Sequence, residues 1–271
     1  MPRRYRSGPG RAAANLDAMT MRSPLGIVAA AARAAVLGLS VAGCGAGGDP
    51  DDLTVFAAAS LHEVFAELAA DYEAAHPGAT VTLNLAGSNA LAEQVIAGAR
   101  ADVLATADTA TMARAAGAGL TAADPEVFAA NDLVVVTPAD DPAGISEAAD
   151  LADPDLRLVV CAPAVPCGAA TARLAGHAGL DLHPVSEEDA VTDVLAKVVS
   201  GQADAGLVYR TDAYSAGDAV RMIVPAAEVA AVNDYPIAPL AEARNPGGAA
   251  EFVELVCSER GREALRAAGF R

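Results

Sequence analysis

From Leu53 almost to the C-terminus, apolar runs of strand length alternate with stretches whose apolar residues recur at helical spacing. Leu53–Phe56, Thr80–Leu85, Ala101–Ala107 and Leu133–Pro138 read as strands. So do Leu156–Cys161, Ala205–Tyr209 and Val220–Ile223. Between them, helices are expected over Leu61–Ala75, through Leu91, Val95 and Ile96, over Thr109–Ala116, over Gly168–Ala178 and from about Glu187 to Ser200. Two more, Gly247–Cys257 and Ser258–Ala268, close the chain. This βαβ rhythm specifies an α/β fold with mostly parallel sheets flanked by helices. A first series ends near Asn131-Asp132, a second follows, and an extended run at Asp234–Leu240 returns. The expected organisation is two lobes: 53–132 with 238–271, and 133–237 including both crossing strands. Ligands of open α/β sheets bind beyond the carboxyl ends of strands, which places a cleft between the lobes.

Residues 1–43 read as a leader outside the fold. Arg3, Arg4, Arg6, Arg11 and Arg22 precede an apolar run, Ala34 to Ala42, which closes on Val41-Ala42-Gly43-Cys44. The placement of Cys44 resembles a bacterial lipobox, which implies cleavage before Cys44 and a lipid on its thiol. Arg33 interrupts the apolar stretch, Met19 and Met21 are alternative starts, and Arg3-Arg4 leaves a twin-arginine signal open. Residues 44–52, rich in Gly and Asp, read as a flexible tether. The expected location is the outer face of the cytoplasmic membrane or the periplasm, anchored through Cys44.

Without residues 1–43 the chain keeps 228 of 271 residues, with 12 of the 18 basic and 34 of the 35 acidic side chains, a net charge of −22. Nucleic acid is excluded as a partner, since it needs a basic footprint. A small anion is not, because neutral dipoles hold one without help from the whole-protein field. Cys161 and Cys167, six apart, read as a disulfide loop in an exported protein, and Cys257 as a buried thiol.

Several strand ends run into helix starts, where free N–H groups and the positive end of the helix dipole make an anion seat. Ser60 follows the first strand and, with Glu63, forms an S-x-x-E capping box. Ser88 follows the second strand, with Asn89 an alternative cap. Pro166-Cys167-Gly168 begin a third helix. Ser186 to Val191, with Glu187, Glu188 and Asp189 as first-turn acids, precede a fourth. Tyr209 ends a strand and adds a phenol. Each alone has a plain structural reading, and the recurrence in both lobes raises the anion reading above it.

The combined pattern resembles the periplasmic molybdate-binding proteins of ABC importers. The resemblance runs from about Leu53 to Phe270. It is carried by Thr54-Val55-Phe56-Ala57-Ala58-Ala59-Ser60-Leu61, Ala86-Gly87-Ser88-Asn89-Ala90-Leu91-Ala92, Gly98-Ala99-Arg100-Ala101-Asp102-Val103, Asn131-Asp132-Leu133-Val134-Val135-Val136, Gly206-Leu207-Val208-Tyr209-Arg210-Thr211-Asp212-Ala213 and Tyr235-Pro236-Ile237. It implies the two-lobe periplasmic-binding-protein fold and a tetrahedral oxyanion held by neutral donors. These would be the hydroxyl and N–H of Ser60 and of Ser88, the N–H groups of Cys167 and Val191, and the hydroxyl of Tyr209. It further implies molybdate or tungstate as ligand, no cofactor, a membrane permease as partner and a monomer. Gly87 and Asn89 stand where the family commonly has serines.

Two alternatives compete. One is a receptor for another anion such as sulfate, phosphate or a small carboxylate. The other is a serine hydrolase with Ser60 as nucleophile, for which G-x-S-x-G is absent and a base would have to come from His62, His76, His177 or His183. Arg173 and Arg210 lie near proposed ligands in sequence, with nothing to say that their charges reach the cleft.

Overall fold

The computed structural model describes residues 51–271. The leader, Cys44 and tether residues 44–50 lie outside the described residues. Asp52, the last residue of the expected tether, accepts a hydrogen bond from the Thr80 N–H at 3.1 Å.

The first half begins with β1 (Leu53–Ala58), a 3-10 turn (Ala59–Leu61) and α1 (His62–Ala75). It continues through β2 (Val81–Ala86), α2 (Ser88–Ile96), β3 (Val103–Ala105) and α3 (Thr109–Gly117). β1 lies between β2 and β3 and pairs with both in parallel. Leu61, Val64, Phe65, Leu68 and Tyr72 are all buried, so the helical stripe read from the sequence is the face α1 turns to the core.

The long strand β4 (Glu126–Pro138) starts well before the expected Leu133. Its first part, Glu126–Asp132, pairs antiparallel with β9 (Val232–Pro239), which in turn pairs antiparallel with β3. From Leu133 the partner changes to β7 (Ala205–Tyr209). A pattern confined to one strand could not reveal the extra residues, because β9 supplies their hydrogen bonds from a hundred residues away. Beyond β7 come β5 (Leu158–Cys161) and β6 (Ser186–Glu188), paired in parallel, and β8 (Val220–Ile223) pairs with β4. Among the described residues the strand order is β2-β1-β3-β9-β4-β7-β5-β6. The sheet is thus mixed: parallel towards its two ends and antiparallel at the long central strands. Helices α4 (Pro166–Ala178), α5 (Val191–Val199), α6 (Arg210–Ala216), α7 (Pro246–Cys257) and α8 (Glu259–Ala267) complete the fold.

Two local expectations are corrected. The first turn of the helix expected from about Glu187 does not form. Ser186–Glu188 hydrogen-bond along Val159–Cys161 as β6, and α5 starts only at Val191. The Ser60–Glu63 capping box does not form either. Ser60 sits inside the 3-10 turn, the cap of α1 is Leu61 without a side-chain bond, and the Glu63 carboxylate accepts from the Ser215 hydroxyl on α6 at 2.6 Å. In both cases a tertiary partner outbids a local one.

Candidate anion-binding site

One cavity is bounded by Ala58, Ala59 and Ser60 at the end of β1, by Ala86, Gly87 and Ser88 at the end of β2, and by Ala107 after β3. From the second half come Val165, Pro166 and Cys167, Asp189 to Val191, and Tyr209. All five residues proposed from the sequence therefore meet at one place. The cavity measures about 20 Å³, a little above the roughly 10–15 Å³ that one water requires. It suits one compact solute and not an extended organic molecule.

Local sequence explains how the backbone donors reach it. Ser88 is the first residue of α2, with Gly87 as cap, and Val191 is the first residue of α5, with Ala190 as cap. Cys167 is second in α4, behind Pro166, whose missing N–H is no loss at that position. First-turn N–H groups have no partner inside their own helix, so three helices aim donors and dipole ends at the cavity. A disulfide joins Cys161 at the end of β5 to Cys167. Gly168 packs so tightly on the same loop that a β-carbon would lie 1.8 Å from the Ala162 carbonyl oxygen.

Ser88 is buried, and its Oγ accepts from the Ala107 N–H at 3.0 Å. Tyr209 is buried, and its Oη accepts from Asn233 Nδ2 at 2.7 Å. Each oxygen accepts one bond from a protein donor, so neither proton is used in that contact, and Tyr209 also hydrogen-bonds with Tyr235. Half-buried Ser60 shares a 2.9 Å hydrogen bond with the Tyr235 hydroxyl. Burial pushes both tyrosine hydroxyls well above the usual phenol range, so both stay protonated.

Among the described residues no lysine or arginine lines the cavity. Arg210 pairs with Asp132, which also pairs with Arg271. Arg173 donates to the Asn233 Oδ1 and, at 3.2 Å, to the Val232 carbonyl. Ser60 is engaged by a phenol and not by a base, while His177 and His183 are exposed and His76 stacks on Tyr72 beside Glu251. His62, which borders a neighbouring cavity with Ser60, is exposed on α1. Among the described residues no group of three or more His, Cys, Asp or Glu could hold a metal ion, and no helix is long and apolar enough to cross a membrane.

Asn233 and the role of Tyr235 were not anticipated. A signal existed: in β9, Asn233, Tyr235 and Ile237 are buried on one phase of the strand while Val232 and Asp234 are exposed. A polar amide in the buried phase has to find partners.

A small cavity at strand ends drawn from both halves of a mixed α/β sheet fits a solute-binding protein. The chain belongs to the family of bacterial extracellular solute-binding proteins, whose model matches residues 53–271. It is similar to the molybdate-binding protein ModA of Mycobacterium tuberculosis, 47% identical over 218 residues that cover 80% of this chain and 84% of that one. In structure it is similar to the periplasmic molybdate-binding protein of Azotobacter vinelandii, with TM-score 0.72, 20% identity, and 81% and 98% of the two chains covered. It is also similar to the sulfate-binding protein SubI of Mycobacterium tuberculosis, with TM-score 0.68, 20% identity, and 81% and 86% covered. The fold is common to proteins of different ligands, and the choice of ligand rests on the site.

Proposed function

We propose that this chain is an extracytoplasmic receptor that captures molybdate, and tungstate with it, and delivers it to an ABC permease. The observation that carries the reading is the hydrogen-bond direction at the cavity. The Ser88 and Tyr209 oxygens already accept from Ala107 N–H and Asn233 Nδ2, so neither of those contacts uses the hydroxyl proton and both hydroxyls can offer it to a ligand. With the N–H groups of Ser60, Ser88, Cys167 and Val191 they make a site of neutral donors. Such a site favours an oxyanion without a proton. Hydrogen phosphate must donate one hydrogen bond and would meet only donors, at the cost of an unsatisfied contact. Similarity to ModA supports molybdate over sulfate within this chemistry.

In this reading the lobes are 53–132 with 238–271, and 133–237, and they close over the anion as a hinge. The change of partner along β4 between Asp132 and Leu133 supports that division. The receptor works as a monomer, held to the membrane by a lipid on Cys44.

Calorimetric titration with molybdate, tungstate, sulfate and phosphate tests the ligand. Heat from the two metallates and none from phosphate is the expected result. Absence of heat from molybdate, or stronger binding of sulfate, overturns it. Partition of the full chain into detergent, lost on Cys44→Ser, tests the anchor.

A further inference from the structure

Asn233 lies on β9, 3% exposed, and is not among the residues lining the cavity. Its Nδ2 is 2.7 Å from Tyr209 Oη, 2.9 Å from the Ala107 carbonyl and 3.2 Å from the Pro166 carbonyl. Its Oδ1 receives the guanidinium of Arg173. These partners fix which way the amide points. Reversed, it would set its oxygen against two carbonyl oxygens and its NH₂ against a guanidinium, so that three of its four contacts would be repulsive. Tyr209 Oη is therefore the acceptor in its bond to Asn233.

That direction has a consequence for ligand choice. A tyrosine hydroxyl left to itself either donates or accepts. Free to accept, Tyr209 would offer the site a lone pair, which is what a protonated oxyanion needs. Accepting from Asn233 takes up one lone pair and turns the hydroxyl proton away from the amide, which favours donation to the site. Arg173 keeps the amide in place from the far side, and the same Nδ2 reaches both cavity walls, at Ala107 and at Pro166.

We propose that Asn233, clamped by Arg173, is a specificity-positioning residue that orients Tyr209 to donate and so disfavours protonated oxyanions in the site. The proposal rests on the reading of Tyr209 as a ligand donor, and it adds residues that do not touch the ligand.

The test is calorimetry on wild type, Asn233→Ala, Arg173→Met, Tyr209→Phe and the two double variants that combine Tyr209→Phe with each of the others. The anions are molybdate, tungstate, sulfate and, at pH 6, phosphate. Asn233→Ala is expected to weaken molybdate binding about tenfold, the scale of one hydrogen bond. In the Tyr209→Phe background the same change should cost less than about twofold, because the hydroxyl it orients is gone. Phosphate affinity relative to molybdate should rise about tenfold in Asn233→Ala. Arg173→Met, at an exposed side chain, should move both readouts in the same direction by less, and it serves if Asn233→Ala fails to fold. A purely structural role predicts equal losses in both backgrounds and an unchanged anion ratio, and that result overturns the proposal. Wild type binding none of the anions, or Tyr209→Phe binding molybdate as wild type does, overturns the parent reading and this one with it.

Discussion

Gly87 and Asp189 touch across the cavity so closely that a β-carbon on Gly87 would stand 2.3 Å from the Asp189 carbonyl oxygen. Gly87 caps α2 just before Ser88, and Asp189 leads into α5 just before Val191. The two donor-bearing helix starts can face one another at this distance only if one of the approaching residues has no side chain. Any larger residue at 87 props the walls apart.

Gly87→Ala therefore weakens anion binding, by about 1–3 kcal/mol if the backbone shifts to relieve the overlap. Thermal stability without ligand should change less. Calorimetry beside a melting curve separates the two, and unchanged affinity would show that the walls need not come so near.

Ser88→Ala removes a ligand donor and strands the buried Ala107 N–H. Affinity and stability should both fall, each by about 1–3 kcal/mol. Ser60→Ala, at a half-buried position, should lower affinity by a similar amount. It also leaves Tyr235 without its Ser60 partner, so a small loss of melting temperature accompanies it.

Asp212 supplies a pH signature. It is buried at the start of α6, where its Oδ2 accepts from the Tyr209 N–H at 3.0 Å. Burial pushes its carboxyl from the ordinary 3.8 to about 7, against the opposing pull of the Tyr209 N–H, with the charge of Glu63 adding to the rise. A raised value means that the folded state holds the proton more tightly than the unfolded one. The contribution to stability is thus full below about pH 4 and lost as pH rises through about 7. Asp212→Asn keeps an acceptor for the Tyr209 N–H and should remove this slope, with a gain on the order of 3 kcal/mol at pH 8. Denaturant melts at pH 5 and pH 8 check it, and an unchanged slope in the variant would refute it.

Reduction of the Cys161–Cys167 bond frees a short loop that ends in a site residue. Loop entropy alone assigns about 2 kcal/mol to so short a closure. Anion affinity should fall too, since the Cys167 N–H loses its tether. Melts and titrations with and without reductant, with alkylation followed by mass, measure both. A thiol pair already free before reduction would contradict the structure.

Much of the framework was legible because it depends on local periodicity. The buried stripe of α1, the β-branched run of β4 from Leu133 and the strand-to-helix junctions at Ser88 and Cys167 follow from residue spacing alone. What was misread shares one cause. Ser186-Glu187-Glu188 has the composition of a helix start, yet β5 offers it a ladder of hydrogen bonds. Ser60-x-x-Glu63 has the form of a capping box, yet Tyr235 and Ser215 take its two side chains from 175 and 152 residues away. Local preferences of a fraction of a kcal/mol to about 1 kcal/mol yield to such partners.

The α/β alternation and the strand-to-helix junctions could be read from the chain alone, because side-chain period and helix-start chemistry are properties of neighbouring residues; the set of five residues that meet at the cavity followed from the resemblance to molybdate-binding proteins. Only the tertiary structure decided in which direction the hydroxyls donate. That direction depends on which groups reach each oxygen, and they come from 19 residues away for Ser88 and 24 for Tyr209. A hydroxyl is ambivalent until its acceptor side is occupied, and in a folded chain the occupant is chosen by packing.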